Sequence, residues 1–242
     1  MAPKSNDRQD PPASKLRSAP SAPAVRSAAE VAGLLRDGIV SGKYAPNERL
    51  IELDLARDLQ TNRAVVRGAL TQLEAQRLVI REPNRGVRVR SYTAEEAAEI
   101  LETRALLEGL AARRAAERID AAGEHALRAV VAAMRERQAA GDLLGYSEHN
   151  ARFHRTIIEI AAHRTASSLL AALASQAVRY QFRTVLEPGR PARSLAEHEA
   201  ILDALCAHDG AAAERAMRSH IGNVVATVRA IGERPHLTPD MA

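Results

Sequence analysis

The chain has 242 residues, 46% of them hydrophobic but only 2% aromatic and none Trp, so its cores must be aliphatic, built from Leu, Ala, Val and Ile. The single cysteine, Cys206, excludes an internal disulfide framework and a thiolate zinc cluster and points to a reducing compartment. The net charge of +4 is unevenly spread: residues 1–92 carry 16 Lys and Arg against 10 Asp and Glu, the remainder 18 against 20, and all eight histidines fall between His125 and His236. That split predicts two domains, the N-terminal one suited to a polyanion. No run approaches the ~20 apolar residues of a membrane span and the N-terminus lacks the apolar stretch of a signal peptide, so a cytoplasmic protein with no membrane partner is expected.

Residues 1–25 are rich in Pro, Ala and Ser without apolar periodicity and read as a disordered tail. From Ser27, Val31, Leu34, Leu35 and Ile39 recur at helical spacing as far as Ser41-Gly42. A second short helix is expected over residues 51–59, with Leu55 and Leu59 on one face, and a third from an N-cap at Asn62 to Gln76. Residues 78–81 and 87–90 then alternate like two strands, joined by Glu82-Pro83-Asn84-Arg85-Gly86, whose Asn and Gly supply turn chemistry. Three helices and a hairpin predict a winged helix-turn-helix over residues 26–92.

After Tyr92 the pattern is almost continuously helical. Thr93 with Glu96, and Ser194 with Glu197, have capping-box spacing and mark helix starts. Breaks near Asp120, Gly141-Asp142, His163–Thr165, Pro188–Pro191 and Asp209-Gly210 divide residues 93–232 into six helices, and residues 233–242 form a C-terminal tail. The predicted class is mainly α: an N-terminal winged helix-turn-helix followed by an all-α antiparallel six-helix bundle.

On the third helix Val66, Ala69, Leu70 and Leu73 gather on one side and Arg63, Arg67 and Thr71 on another. A recognition helix presents its first residues to base edges, where an arginine pairs bidentately with guanine. Arg63 and Arg67 stand at those positions. Thr61 and Asn62 precede them and can bond phosphate or base, while Arg57 and Arg85 are placed for backbone or minor groove. The alternative is a solvated arginine face. Against it stands the excess of seven Arg over two acids in residues 61–90.

In the second half, Asn150 and His154 lie four apart on one helical face, and His198 and His220 lie on two later helices joined at Asp209-Gly210. An antiparallel bundle can bring them together, and three imidazoles with one oxygen donor suit a divalent metal, zinc first, with nickel or manganese as other options. The alternative is that these are exposed or hydrogen-bonded helical histidines. His163 and His208 are explained as helix C-terminal residues. Cys206 reads as a core residue.

Residues 31–89 resemble the GntR-family winged helix in Leu55-Ala56, Arg63, Val66-Arg67, Ala69-Leu70, Leu78-Val79 and Asn84-Arg85-Gly86. The resemblance implies that Arg63 and Arg67 read an operator and that Gly86 shapes the wing tip. Asn62, Val65 and Gly68 depart from the family's usual Ser, Pro and Glu; a glycine inside the recognition helix costs up to ~1 kcal/mol in propensity.

Residues 98–230 resemble the FCD ligand-sensing domain of the FadR subfamily in Arg104–Glu108, Asn150–His154, Glu197-His198, Asp209, Met217 and His220. The six-helix count suggests the VanR-like branch. The resemblance implies a metal held by Asn150, His154, His198 and His220 beside a cavity for a small carboxylate, with Arg104 facing that effector. Arg179 and Arg183 are further effector candidates, against a solvated-face alternative. Many members have Asp where this chain has Asn150, which gives the site one negative charge fewer.

The expected protein is therefore a homodimeric transcriptional regulator, not an enzyme, that binds a pseudo-palindromic operator in double-stranded DNA under control of a small organic acid. A metal-responsive regulator without an organic effector is the alternative. A metal-dependent hydrolase with a DNA-binding appendage is the rival from another class; it requires a base near the metal, and Glu197, next to His198, is expected to point elsewhere.

Overall fold

A computed structural model describes residues 26–83 and 85–234, apart from the side chains of residues 175, 177–179 and 181. Both expected tails lie largely outside this range, as does Asn84 of the wing.

Helix α1, Ala28–Val40, opens with a capping box in which Ser27 Oγ accepts from the Glu30 amide and the Glu30 carboxylate accepts from the Ser27 amide. Strand β1, Arg49–Leu50, was not expected; it pairs antiparallel with β3, Gly86–Val89, which pairs in turn with β2, Val79–Glu82. Two residues carry too little alternation to register as a strand in sequence. Helix α2 spans Glu52–Asp58 and α3 spans Arg63–Ala75, capped by Asn62 Oδ1 accepting from the Val65 amide at 2.9 Å. Val31, Leu35, Leu55, Val66, Leu70, Leu73, Val79 and Val87 form one buried core.

Two backbone details shape this domain. Gly86 at the wing has φ +83°, a left-handed conformation in which a side chain would be strained. Gly68 faces α1: a Cβ there would lie 3.2 Å from Ala28 Cβ. The glycine therefore serves close packing of α1 on α3.

The second core is separate and gathers α4 (Ala94–Ala116), α5 (Ala121–Ala139), α6 (Leu143–Ala161), α7 (Arg164–Val185), α8 (Arg190–Cys206) and α9 (Gly210–Glu233). The six expected helices and their breaks are present, with α9 running one residue beyond the expected boundary at 232. Alanines 97, 98, 111, 112, 115 and 116 of α4 are buried, and these short side chains let α9 lie close and antiparallel to it. Arg229 near the end of α9 bonds Glu95 at the start of α4.

Thr93 and Glu96 form the expected capping box. Ser194 and Glu197 do not. Helix α8 begins a turn earlier, after Gly189, with Pro191 in its first two positions, because a proline there gives up no helical hydrogen bond. Both polar side chains are thereby freed for the bundle interior. His163 follows the Ala162 C-cap of α6 as expected, but it also opens the next helix: its Nδ1 accepts from the Ala166 amide and caps the start of α7. His208 does sit at a helix end, 3.0 Å from the Ala116 carbonyl that closes α4. Among the described residues no helix is long and apolar enough to cross a membrane.

Candidate functional site

Three imidazoles meet inside the bundle. His154 comes from α6, His198 from α8 and His220 from α9; all are buried, and one ring nitrogen of each lies within 4.8 Å of the others. His154 Nε2 and His198 Nε2 are 3.3 Å apart. Two nitrogens bound to one tetrahedral zinc at ~2.1 Å are separated by about 3.4 Å, so the pair is already at ligand spacing.

The rings are held by carboxylates. Glu108 Oε2 lies 2.6 Å from His154 Nδ1, and Glu197 Oε2 lies 2.6 Å from His220 Nδ1. Each carboxylate is in turn gripped by an arginine: Arg104 gives Nε and Nη2 to Glu108 Oε1, and Arg190 gives Nη1 and Nη2 to the two oxygens of Glu197. The result is a pair of Arg–Glu–His chains converging from opposite helices. A carboxylate on Nδ1 fixes the proton there and leaves the Nε2 lone pair toward the centre, the arrangement found behind metal-bound histidines.

Electrostatics agrees. Burial pushes the Glu108 carboxyl up, but the Arg104 guanidinium and His154 outweigh it and hold it well below the carboxylate range. At Glu197 burial is likewise outweighed by His220 and Arg190. Burial pushes the His220 imidazole down to about 4 against the pull of Glu197. His198 is driven well below its ordinary value by burial, then by His220, His154 and Arg190. His198 Nδ1 approaches the Ser194 carbonyl closely enough to feel it but makes no hydrogen bond of ordinary geometry. Burial thus favours the neutral form of His198 and His220, and ring nitrogens of all three histidines converge at ligand spacing, so the donor set fits a divalent ion.

Asn150 lies one turn before His154 on α6 and lines a cavity of about 30 Å³ with His154, His220, Arg190 and Ser194. Asn150 and His154 also border a cleft of about 1360 Å³ that runs past Arg104, Ile158 and Leu170 to the interdomain linker at Tyr92. The Nη1 of Arg104 is buried without a hydrogen-bond partner. Arg183 is exposed at the cleft, its guanidinium 5.7 Å from the Tyr180 ring centre. The Arg179 side chain lies outside the described residues.

Sequence reasoning missed Glu108 and Arg190 and misplaced Glu197. The spacing of Arg104 and Glu108, one helical turn apart, was the available signal. Nothing in the sequence shows that Glu197, one residue from His198, reaches across to His220 instead. Fully engaged by Arg190, His220 and Asn223, it is no free general base.

In the N-terminal domain, Arg63 and Arg67 project from the start of α3, each with 61% of its side chain exposed. Both lean on Glu52, whose place in the sequence gives no sign of this role. Asn62 is exposed but uses Oδ1 as a cap. Thr61 differs from expectation: its hydroxyl is shielded, with no hydrogen-bond partner. Arg57 is exposed and paired with Asp54 and Asp58. Arg85 and Gly86 are exposed at the wing.

Residues 27–89 match the family described as "Bacterial regulatory proteins, gntR family", and residues 99–223 match the FCD domain. A probable D-xylose utilization operon transcriptional repressor of Paenarthrobacter nicotinovorans is 31% identical over 79% of this chain and 85% of its own length. The galactonate operon transcriptional repressor of Escherichia coli is 27% identical over 76% and 89%. A crystal structure of a putative GntR regulator from Rhodococcus superposes with a TM-score of 0.68 at 26% identity, covering 86% of this chain and 99% of the other. These relatives are regulators, so the hydrolase reading falls. The chain belongs to the GntR family of bacterial transcriptional regulators, with an FCD domain following its DNA-binding winged helix.

Proposed function

We propose that this regulator is a homodimer that represses transcription and is released or retained on its operator by a small organic acid bound beside a divalent metal. The observation that carries the proposal is the convergence of His154, His198 and His220, two of them backed by carboxylates, next to a cleft large enough for an organic molecule. Asn150 is the fourth ligand, and zinc suits the nitrogen-rich set, with nickel or manganese as substitutes. When bound, the ion supplies a fixed positive charge for a carboxylate oxygen, and Arg104 and Arg183 are placed to meet the same molecule.

Arg63 and Arg67 read base edges, and a two-fold dimer would present two such helices to a pseudo-palindromic operator. Asn62, Arg57, Arg85 and the Gly86 wing tip attend to the backbone or minor groove. Repression is supported by relatives named as repressors of operons for D-xylose and galactonate; galactonate, a sugar acid, suggests that class as a first panel.

A thermal-shift screen of chelated and metal-loaded protein against metabolic carboxylates checks this reading, because a ligand selective for the native state raises its melting temperature. A metal-dependent shift by one class of acids is expected. Shifts with metal and with no acid would establish a regulator responsive to metal alone.

A further inference from the structure

If, as proposed above, a divalent ion and a carboxylate share this site, the formal charges around them must balance. Arg104 pairs with Glu108 and Arg190 with Glu197, so each chain is neutral within itself. The three imidazoles must be neutral to offer Nε2 lone pairs, and Asn150 is a neutral amide. Among the described residues the other buried polar groups are Thr184 and Ser194, which carry no charge. Arg155 and Arg183 at the cleft are exposed and positive, so they add no compensation. A divalent ion would therefore leave two uncompensated positive charges in the bundle interior, a costly arrangement in a poorly polarisable medium.

Two donors are also left over. Arg104 Nη1 and Arg190 Nε are buried without hydrogen-bond partners. Arg104 borders the large cleft and Arg190 the small cavity, and the two spaces share Asn150 and His154. A buried guanidinium N–H without an acceptor is rare, because its desolvation is uncompensated. Two unpaired donors beside a centre short of two negative charges match a ligand with two anionic groups.

We infer that metal and organic anion bind this protein as a coupled pair, and that the anion is a dicarboxylate whose two groups balance the ion and engage Arg104 and Arg190. Asn150 sets the coupling. An aspartate there would supply one of the missing charges, letting the ion bind with less help from the ligand. The consequence for regulation is that the protein responds to the acid and the metal jointly: each raises the affinity of the other by the same factor.

The experiment is a zinc titration of chelator-treated full-length protein in competition with a chromophoric zinc indicator. It is run in an inert buffer, then with acetate, then with malonate, succinate or glutarate at matched ionic strength, with free zinc corrected for binding by each acid. At least one dicarboxylate should raise zinc affinity by tenfold or more, and acetate by clearly less. In Asn150→Asp, nearly isosteric and half-buried, zinc should bind more tightly without any acid and the dicarboxylate gain should shrink. Zinc affinity indifferent to every acid would overturn the coupling while leaving the metal site standing. Equal gains from acetate and dicarboxylates would overturn the dianion assignment. Undiminished coupling in Asn150→Asp would overturn the charge argument, and no zinc binding at all would remove both this inference and the metal reading beneath it.

Discussion

Glu52, the first residue of α2, accepts two hydrogen bonds from Arg67 of the recognition helix, Nε to Oε1 at 3.2 Å and Nη2 to Oε2 at 3.1 Å. The same Oε2 lies 3.5 Å from Arg63 Nη2. One carboxylate thus gathers both arginines expected to face DNA, keeping the Arg67 fork extended while leaving Nη1 free. Arg67→Ala should lose ~1–3 kcal/mol of specific operator affinity if it contacts guanine bidentately; unchanged binding in a gel-shift titration would exclude it from readout.

Glu52→Gln removes a negative charge from a surface that must approach phosphates and releases the arginine fork. Binding to random DNA should strengthen, while the ratio of operator to random-sequence affinity should fall. Fluorescence anisotropy with both DNAs measures this, and an unaltered ratio would mean that Glu52 does not position the readout.

At the metal centre, Glu108→Gln leaves an amide that cannot hold the His154 proton as a carboxylate does. Zinc affinity should drop ~10–100-fold, the range found for partners behind metal-bound histidines. Competition titration reads the change, with circular dichroism confirming that the bundle is folded; wild-type affinity in the folded variant would show that the carboxylate does not tune the site.

Acid should destabilise the metal-free protein. An unfolded imidazole takes up a proton near pH 6.5, whereas buried His220 resists until about pH 4 and His198 is depressed as well. Their contribution is present above pH 6.5 and is lost as the pH falls toward 4. Melting temperatures of chelated protein across that window should decline, and saturating zinc should delay the decline because protons and metal compete for Nε2. A His220→Gln variant with the same slope as the parent would refute the assignment.

The turn after the recognition helix offers a stability check. Leu78 N bonds Leu73 O and Arg77 N bonds Glu74 O, the paired bonds of a Schellman motif, and Arg77 occupies its left-handed position at φ 59°. Arg77→Gly should stabilise the winged helix by about 1 kcal/mol in urea unfolding, since the strain of an L side chain there exceeds the chain entropy of glycine. A loss of stability would mean that the Arg77 side chain makes a contribution its exposure does not suggest.

Much of the fold was legible because helical periodicity and turn chemistry are local. Asp120, Gly141 and the Asp209-Gly210 turn punctuate the bundle in sequence as they do in space. Ser194 misled for the opposite reason: its capping-box spacing with Glu197 is a local signal, overridden when α8 starts at Arg190 and the bundle interior claims both side chains. The histidine centre was legible because helical spacing and the antiparallel turn at Asp209-Gly210 group His154, His198 and His220, and the resemblance implied that they act as ligands. Its carboxylate backing was not, because Glu108 reaches His154 and Glu197 reaches His220 only after four helices have packed. The same holds for Glu52 beneath Arg67, fifteen residues away on another helix.

Zinc calorimetry on chelator-treated wild type and His198→Ala probes the centre at its most buried ligand. One ion per chain should bind the wild type, with binding lost or weakened by orders of magnitude in the variant. Equal binding by both proteins, or none by either, would overturn the histidine centre as the seat of control.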